Sequence, residues 1–329
     1  MPLRRRAVLV LPPALLVGAG ARAEERPAEQ RPVLLVAPHA AGAAADIAAR
    51  NFAAHAVRHM AESAHPIVVE NRAGASGALG TQAVAQATPD GHTLLLARTG
   101  ASAILPAMDP RTPYGVDDFT WLGLLDENPF VICVAANAPW GTLTDLLGAL
   151  RAGSLRLRFA TAGPATILDI GVRHMLGVAG LGIDAADATP TRGGAEALAA
   201  LLAGEADFIG NSLAELSRAL TEGSIRVLAV AGTERLAFRP EVPTTAEAGL
   251  PDMAPLTGWN ALAAPAGLPD PLRGFWEGVV ARTGQDPDWL LATHAVGSIP
   301  RLTAGAEARA HVLAQIDLYR DLARRLNLG

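Results

Sequence analysis

The chain has 329 residues, a length that suits one large domain or two ordinary domains. Apolar residues make up 50% of it and aromatic residues only 4%, and its formal net charge is −5. All 27 Lys or Arg positions are arginine, which excludes a lysine Schiff base and a phosphate-binding loop that depends on lysine. The acidic charge and the lack of a basic stripe argue against binding to nucleic acid.

The N-terminus is typical of a signal peptide. Three arginines at positions 4–6 precede an apolar stretch over residues 7–20, and residues 21–23 resemble a small-residue cleavage site. A membrane anchor or a disordered tail is the alternative, but the apolar stretch is short for a bilayer span. Cleavage after Ala23 removes four arginines and no acid, which changes the charge from −5 to −9. We expect export to the periplasm by the general secretory route or, given the Arg5-Arg6 pair, the twin-arginine (Tat) route.

The first part of the mature chain alternates between predicted strands and helices. Residues 33–37 form an apolar run between two prolines, as in a parallel strand buried on both faces. A small-residue turn over residues 40–45 leads to Asp46, which is predicted to cap a helix that continues to about residue 62. Further strands are predicted at residues 67–70 and 93–97. This alternation predicts an α/β sheet of mainly parallel strands.

The middle of the chain repeats this pattern, and the end is helical. The predicted strands lie at residues 130–135, 157–161, 206–210 and 226–231, and the predicted helices at 143–152, 163–177 and 193–204. After a proline-rich connection, helices extend to about residue 326. Two α/β units with a helical return favour two lobes around a cleft. Cys133, the single cysteine, lies in an apolar run and is expected to be a buried, inert thiol.

Other chemistries fit the sequence less well. Residues 74–80 follow a strand and open a helix, but their Gly-x-x-Gly-x-x-Gly spacing differs from the dinucleotide-binding pattern. His55 and His59 stand four apart with His65 nearby, but no acidic residue has the spacing of a metal site. No serine lies in the glycine-flanked turn of a hydrolase. We therefore expect no metal, no cofactor and no enzymatic activity.

The turn after the first strand, residues 38–46, carries the strongest functional signal. Its small side chains let a ligand approach the backbone, and amides at the start of a helix favour an anion. A tight turn without a ligand fits this segment equally well when it is taken alone.

Several segments together resemble the Bug receptors, the substrate-binding components of tripartite tricarboxylate transporters. In order and spacing they cover nearly the whole mature chain: residues 31–46, 69–74, 89–95, 159–163, 192–194, 242–249 and 263–269. The resemblance implies a type II periplasmic-binding-protein fold with a ligand cleft between two lobes. The expected division is a signal peptide at 1–23, one lobe at 24–126 plus 230–329, and a second lobe at 127–229.

The resemblance also implies a function. We expect a monomeric receptor that closes on a small organic acid, for delivery to membrane transporter subunits or a sensor domain. An exported enzyme on a similar two-lobed scaffold is the alternative. The implied ligand-binding residues are Ala40, Ala41, Gly42, Ala43 and Asp46 in a first loop, and Thr161, Ala162, Gly163, Ala165, Thr166 and Asp169 in a second loop. Arg98, Thr99, Gly100, Asn211 and Ser212 follow strand ends at matching positions, and Trp259 is assigned to the cleft in preference to the core.

Some residues depart from the family's pattern. His39 stands where phenylalanine is usual, and Ala43 replaces a second glycine. Pro164 lacks an amide hydrogen, Asp169 replaces a frequent histidine, and Arg98 stands where a small residue is usual. An extra carboxylate beside an anion site would repel the ligand unless Asp169 points away. These changes leave the expected fold intact and the identity of the ligand open.

Overall fold

A computed structural model describes residues 31–60, 66–164 and 166–328, so the predicted signal peptide lies outside the described residues. No helix in these ranges is long and apolar enough to cross a membrane. The strands are β1 Val33–Ala37, β2 Ile67–Asn71, β3 Thr93–Arg98, β4 Phe119–Ala135, β5 Arg158–Thr161, β6 Asp187–Pro190, β7 Phe208–Ser212, β8 Ile225–Val230, β9 Thr257–Pro265 and β10 Ile299–Pro300. The helices are α1 Ala44–Ala56, α2 Ala78–Ala85, α3 Leu105–Met108, α4 Leu143–Ala152, α5 Ile167–Val178, α6 Gly194–Leu202, α7 Leu213–Thr221, α8 Asp270–Thr283, α9 Pro287–Ala295 and α10 Gly305–Arg325.

The strands form two sheets that share the long strand β4. The first sheet has the order β2-β1-β3-β9-β4, with β10 also paired to β4. In it β1 runs parallel to β2 and β3, whereas β9 runs antiparallel to β3 and β4. The second sheet places β7, β5 and β6 on one side of β4 and β8 on the other. Each sheet forms the centre of one lobe, called here the first lobe and the second lobe.

Strand β4 passes from one lobe to the other. Residues 119–129 pair with β9 of the first sheet, and residues from Phe130 onward pair with β7 and β8 of the second. The change of partner falls between Pro129 and Phe130. The fold is the two-lobed type II periplasmic-binding-protein fold, so that expectation is confirmed. The expected lobe boundaries at 126/127 and 229/230 stay predictions.

Strands β1 and β3 of the first sheet are buried on both faces, as their continuous apolar runs predict. Val33 and Leu35 of β1 belong to a core cluster with Phe52 of α1 and Trp276 of α8. Val36 belongs to the other cluster, which continues through the second lobe. Successive side chains of a strand point to opposite faces, so β1 contributes to both clusters.

Phe130 lies at the passage of β4 into the second lobe, and its side chain is fully buried. A Cβ added at Gly171 of α5 would lie 2.3 Å from its ring, and one added at Gly210 of β7 would lie 2.4 Å away. The two glycines therefore provide the space for this ring. Cys133, three residues further along β4, is also buried, and burial raises the pKa of its thiol.

Some local predictions are wrong at the edges of elements. Helix α1 begins at Ala44 with Ala43 as its N-cap, rather than at Asp46, and it ends at Ala56 rather than near residue 62. Asp46 lies in the first turn, where its carboxylate accepts a hydrogen bond from the Gly42 amide at 2.8 Å. Strand β4 begins at Phe119 rather than at residue 130.

Candidate functional site

A cavity of about 720 Å³ lies between the two lobes. Its volume is typical of small-molecule sites, which are usually concave and largely preformed. The first lobe lines it with residues 38–41, 43, 73–77, 98–100 and 258. The second lobe lines it with residues 162, 166–168, 192–196 and 215.

The first turns of four helices meet at this cavity. Helix α1 begins after Ala43, α2 after Gly77, α5 after Thr166 and α6 after Gly193, and all four N-cap residues line the cavity. The first turn of a helix has N–H groups without intrahelical partners and carries the positive end of the helix dipole. This arrangement favours a negatively charged ligand group.

Polar groups of the chain itself fix the loop that leads into α1. The carboxylate of Asp46 accepts hydrogen bonds from the Gly42 amide at 2.8 Å and from the Asn71 side chain at 3.0 Å. It also pairs with Arg50 at 2.8 Å. Burial alone would raise the pKa of Asp46, but Gly42, Arg50 and Asn71 together lower it below the ordinary value. Asp46 is therefore ionised at neutral pH and holds the loop in place.

The second loop is held by two threonine hydroxyls. The Thr161 hydroxyl accepts a hydrogen bond from the Gly163 amide at 3.2 Å, and the Thr166 hydroxyl donates to the Gly163 carbonyl at 2.7 Å. The buried carboxylate of Asp169 accepts a hydrogen bond from Arg173 at 2.9 Å and does not line the cavity. Asp169 thus points away from the site, which is the arrangement in which it would not repel an anion.

Arg98, the last residue of β3, brings a buried positive charge to the cavity. Its Nη1 donates to the side-chain oxygens of Asn128 and Asn260, and its Nη2 donates to the Ser212 hydroxyl at 2.9 Å. The side chains of Asn260 and Asn128 also donate to Asp126. Burial raises the pKa of Asp126 to about 6, although these amides and Arg98 oppose the shift. The network fixes the guanidinium group of Arg98 between the lobes.

Glu215, on α7 of the second lobe, also lines the cavity. Its Oε1 accepts a hydrogen bond from the Ala44 amide, the first residue of α1, at 3.0 Å. The same oxygen lies 3.9 Å from Nη2 of Arg98. The side chain is 8% exposed, and its Oε2 has no hydrogen-bond partner among the described residues. Glu215 therefore contacts the first lobe at the N-terminus of α1.

His39 lines the cavity beside Gly77. A Cβ added at Gly77 would lie 3.0 Å from Cε1 of the imidazole, so the two residues are in close contact. Burial, with a smaller effect from the charge of Arg98, lowers the pKa of His39 from 6.5 to about 4. Its Nδ1 is buried and has no hydrogen-bond partner in the described part of the chain. The imidazole is thus neutral at pH 7.

The structure brings together part of the predicted ligand-binding set. The predicted residues that line the cavity are Ala40, Ala41, Ala43, Arg98, Thr99, Gly100, Ala162 and Thr166. The predicted residues that do not line it are Gly42, Asp46, Thr161, Gly163, Asp169, Asn211, Ser212 and Trp259. Ala165 lies outside the described residues. A ligand contact at any of these positions stays a prediction.

Two of these non-lining residues, Trp259 and Asn211, contact residues of the lining. The fully buried Trp259 donates its backbone N–H to the Thr99 hydroxyl at 2.7 Å, and its ring packs edge-on against His311. The structure therefore places its ring in the core. The Asn211 side chain donates to the Gly194 carbonyl at 3.2 Å and thus positions the start of α6.

Other lining residues were not predicted as ligand-binding. They are Pro38, His39, residues 73–77, Ile167, Leu168, residues 192–196, Glu215 and Gly258. The glycine turns at 73–77 and 192–194 each follow a strand and precede a helix, a pattern that could have indicated both. Glu215 has no such local signal, because it reaches the site through a contact with Ala44, a residue far away in the chain.

The histidines considered as metal ligands have other partners. Nδ1 of His55 lies 2.8 Å from the carbonyl oxygen of Asn51, and Nε2 of His59 lies 3.1 Å from the Asp286 carboxylate. His65 lies outside the described residues. Among the residues that are described, no group of three or more His, Cys, Asp or Glu side chains could hold a metal ion.

Known proteins are similar to this chain in sequence over most of its length. A family model described as the tripartite tricarboxylate transporter family receptor matches residues 49–298. A UPF0065 protein from the tcbD–tcbE intergenic region of a Pseudomonas species is 35% identical over 269 residues, covering 80% of this chain and 77% of the relative. Protein BugT of Bordetella pertussis is 26% identical over 314 residues, covering 94% of this chain and 92% of the relative.

Solved structures share the two-lobed architecture. MatC from Rhodopseudomonas palustris with bound malate is 28% identical, with a TM-score of 0.80 over 89% of this chain and 98% of MatC. A second R. palustris protein, determined with adipate, is 25% identical, with a TM-score of 0.84 over 90% of this chain and 97% of that protein. The resemblance seen in the sequence is confirmed, and the chain belongs to the tripartite tricarboxylate transporter receptor family.

Proposed function

We propose that this chain is a periplasmic receptor that captures a small organic acid between its lobes and delivers it to membrane transporter subunits or to a sensor. The observation that carries the proposal is the meeting of four helix N-termini and the buried Arg98 at one cavity lined by both lobes. Malate and adipate, the ligands of the two similar R. palustris proteins, are carboxylates. Family membership supports the role in transport.

Hydrogen bonds can supply the required affinity. A hydrogen bond to a charged group contributes about 1.5–3 kcal/mol net. Micromolar binding needs about 8 kcal/mol, so about four or five such bonds suffice if ordering costs are modest. Since the cavity walls belong to different lobes, a ligand that contacts both stabilises the closed arrangement more than an open one.

The proposal includes export and the division into lobes. A signal peptide at residues 1–23 would be removed in the periplasm, and mass spectrometry of the exported protein should then find Glu24 as its first residue. One lobe would comprise residues 24–126 plus 230–329, and the other residues 127–229. The change of β4 partner after Pro129 supports a boundary in this region.

A ligand screen tests the binding function. The mature protein would be screened by thermal shift against organic acids, amino acids and aromatic carboxylates, followed by calorimetry on every hit. A ligand at about a hundred times its Kd should stabilise the folded state by about 2.7 kcal/mol. We expect a one-to-one complex and no turnover. Turnover of a bound compound, or binding by none of the carboxylates, would contradict the proposal.

Two matched variants locate the binding to the cavity. Ala162 lines the cavity and is half-buried, whereas Ala152 is exposed at the end of α4. The substitution Ala162→Phe should fill part of the cavity and weaken binding, because the larger ring takes space from the ligand. The control Ala152→Phe should bind as the unmodified protein does. Equal affinities for the two variants would place the ligand outside this cavity.

A further inference from the structure

We propose that Glu215 determines which acids the site accepts. Its carboxylate occupies the N-terminus of α1, so the preferred ligand is an acid that carries a protonated amine, as an amino acid does, rather than a simple mono- or dicarboxylate. In this arrangement the ligand carboxylate lies at the N-terminus of α5 and the ammonium group lies beside Glu215. The inference rests on the proposed function, since it concerns the ligand of the same cavity.

Glu215 fills a position that an anionic ligand group would otherwise take. Its Oε1 accepts the Ala44 amide at 3.0 Å, at the first turn of α1. The other two amides of the approach to α1 are engaged within the loop, Gly42 by the Asp46 carboxylate and Ala43 by the Ala40 carbonyl. A second carboxylate placed here would meet the negative charge of Glu215 at short range, and like charges in a shared site disfavour each other.

One oxygen of Glu215 lacks a donor. The side chain of Glu215 is only 8% exposed. Its Oε2 is buried and has no hydrogen-bond partner among the described residues. It lies against Gly194, where an added Cβ would come within 1.5 Å of it, and both residues line the cavity. Buried carboxylate oxygens are almost always hydrogen-bonded, because leaving one without a donor is costly. An N–H group of the ligand would provide the missing donor.

The nearby cation does not replace that donor. Nη2 of Arg98 lies 3.9 Å from Oε1 of Glu215, beyond hydrogen-bond distance, and it donates instead to the Ser212 hydroxyl at 2.9 Å. The two charges balance each other at this end of the cavity. Glu196, the other carboxylate in the lining, accepts hydrogen bonds from the backbone and side chain of Arg192. Glu215 is thus the lining carboxylate with an oxygen left for a ligand.

Pairs of acids that differ only in the ammonium group test the inference. Calorimetry would compare L-alanine with propionate, L-valine with isovalerate, and L-aspartate with succinate. For the unmodified protein we expect the amino acid of the best-bound pair to bind about ten- to a hundredfold more tightly, the range of one hydrogen bond to a charged group. The variant Glu215→Gln should lose this preference. The control Glu222→Gln, at the exposed end of the same helix, should keep it.

The outcomes separate the two proposals. If the unmodified protein binds succinate or another plain acid as tightly as its amino acid partner, the role of Glu215 is refuted and the proposed function stands. If no carboxylate of any kind binds, both are refuted. The comparison within the unmodified protein does not depend on the folding of a variant, so the inference remains testable if Glu215→Gln is unstable.

Discussion

Replacing His39 with glutamine should change how the stability of the protein depends on pH. The pKa of His39 falls from 6.5 in the unfolded chain to about 4 in the folded chain, because of burial and the charge of Arg98. Between these values the unfolded chain holds a proton on this imidazole and the folded chain does not. Stability is therefore lost as the pH falls from 6.5 towards 4.

The size of this loss follows from the shift in pKa. Near pH 4.5 the imidazole should cost about 2 to 3 kcal/mol of folding free energy relative to pH 7.5, and near pH 5.5 about half as much. Asp126 acts in the opposite direction, since burial raises its pKa from 3.8 to about 6 and protonation then favours the folded state. Its contribution is common to both chains and cancels in their difference.

Urea denaturation of the unmodified protein and of His39→Gln at several pH values would measure the effect. The free energy of unfolding of the variant, minus that of the unmodified protein, should increase as the pH is lowered below 6.5, the unfolded-state pKa of the imidazole. A difference between the two chains that does not change from about pH 7.5 to about pH 4.5 would refute the assignment of a low pKa to this imidazole.

Three further substitutions test the site and the core. Thr166→Ala should raise the Kd for a bound acid about tenfold without lowering Tm appreciably. The reason is that Thr166 is half-buried at the cavity and its hydroxyl donates to the Gly163 carbonyl at 2.7 Å. Unchanged affinity in calorimetry would show that Thr166 is not part of the site. Gly171→Ala should destabilise the fold by about 1 to 3 kcal/mol in urea denaturation, since the new Cβ would lie 2.3 Å from the ring of Phe130. Gly148→Ala should instead stabilise it by roughly 0.5 to 1 kcal/mol, because Gly148 is exposed in α4 with no atom within 4 Å of an added Cβ. The opposite order of stability for these two glycine variants would contradict the packing described here.

The sequence predicts strands whose apolar runs are continuous, and it misses the first half of β4, which carries polar residues around the site. Residues 33–37 and 93–97 are predicted as strands, and β1 and β3 occupy these positions. The first half of β4 was missed because Asp126, Glu127 and Asn128 interrupt its apolar pattern. Asp126 and Asn128 are buried in the network around Arg98, a compensation that only the fold reveals.

The residues of the candidate site are likewise only partly predictable from the sequence. The loop after β1 is predicted from its small residues and the loop after β5 from the family resemblance, and the cavity is lined by parts of both. Local sequence did not identify Glu215, since it contacts Ala44, a residue 171 positions away in the chain. Nor did it predict that Asp169 pairs with Arg173, because the direction of a side chain depends on the packing of α5.

The comparison of an acid with its amide tests the central claim most directly. For the acid that binds best in the screen, calorimetry would be repeated with the primary amide of the same carbon skeleton, which has a similar shape and no negative charge. If the helix N-termini recognise a carboxylate, the acid should bind with one-to-one stoichiometry and the amide about a hundredfold more weakly or not at all. Equal affinity for the acid and the amide would contradict the account.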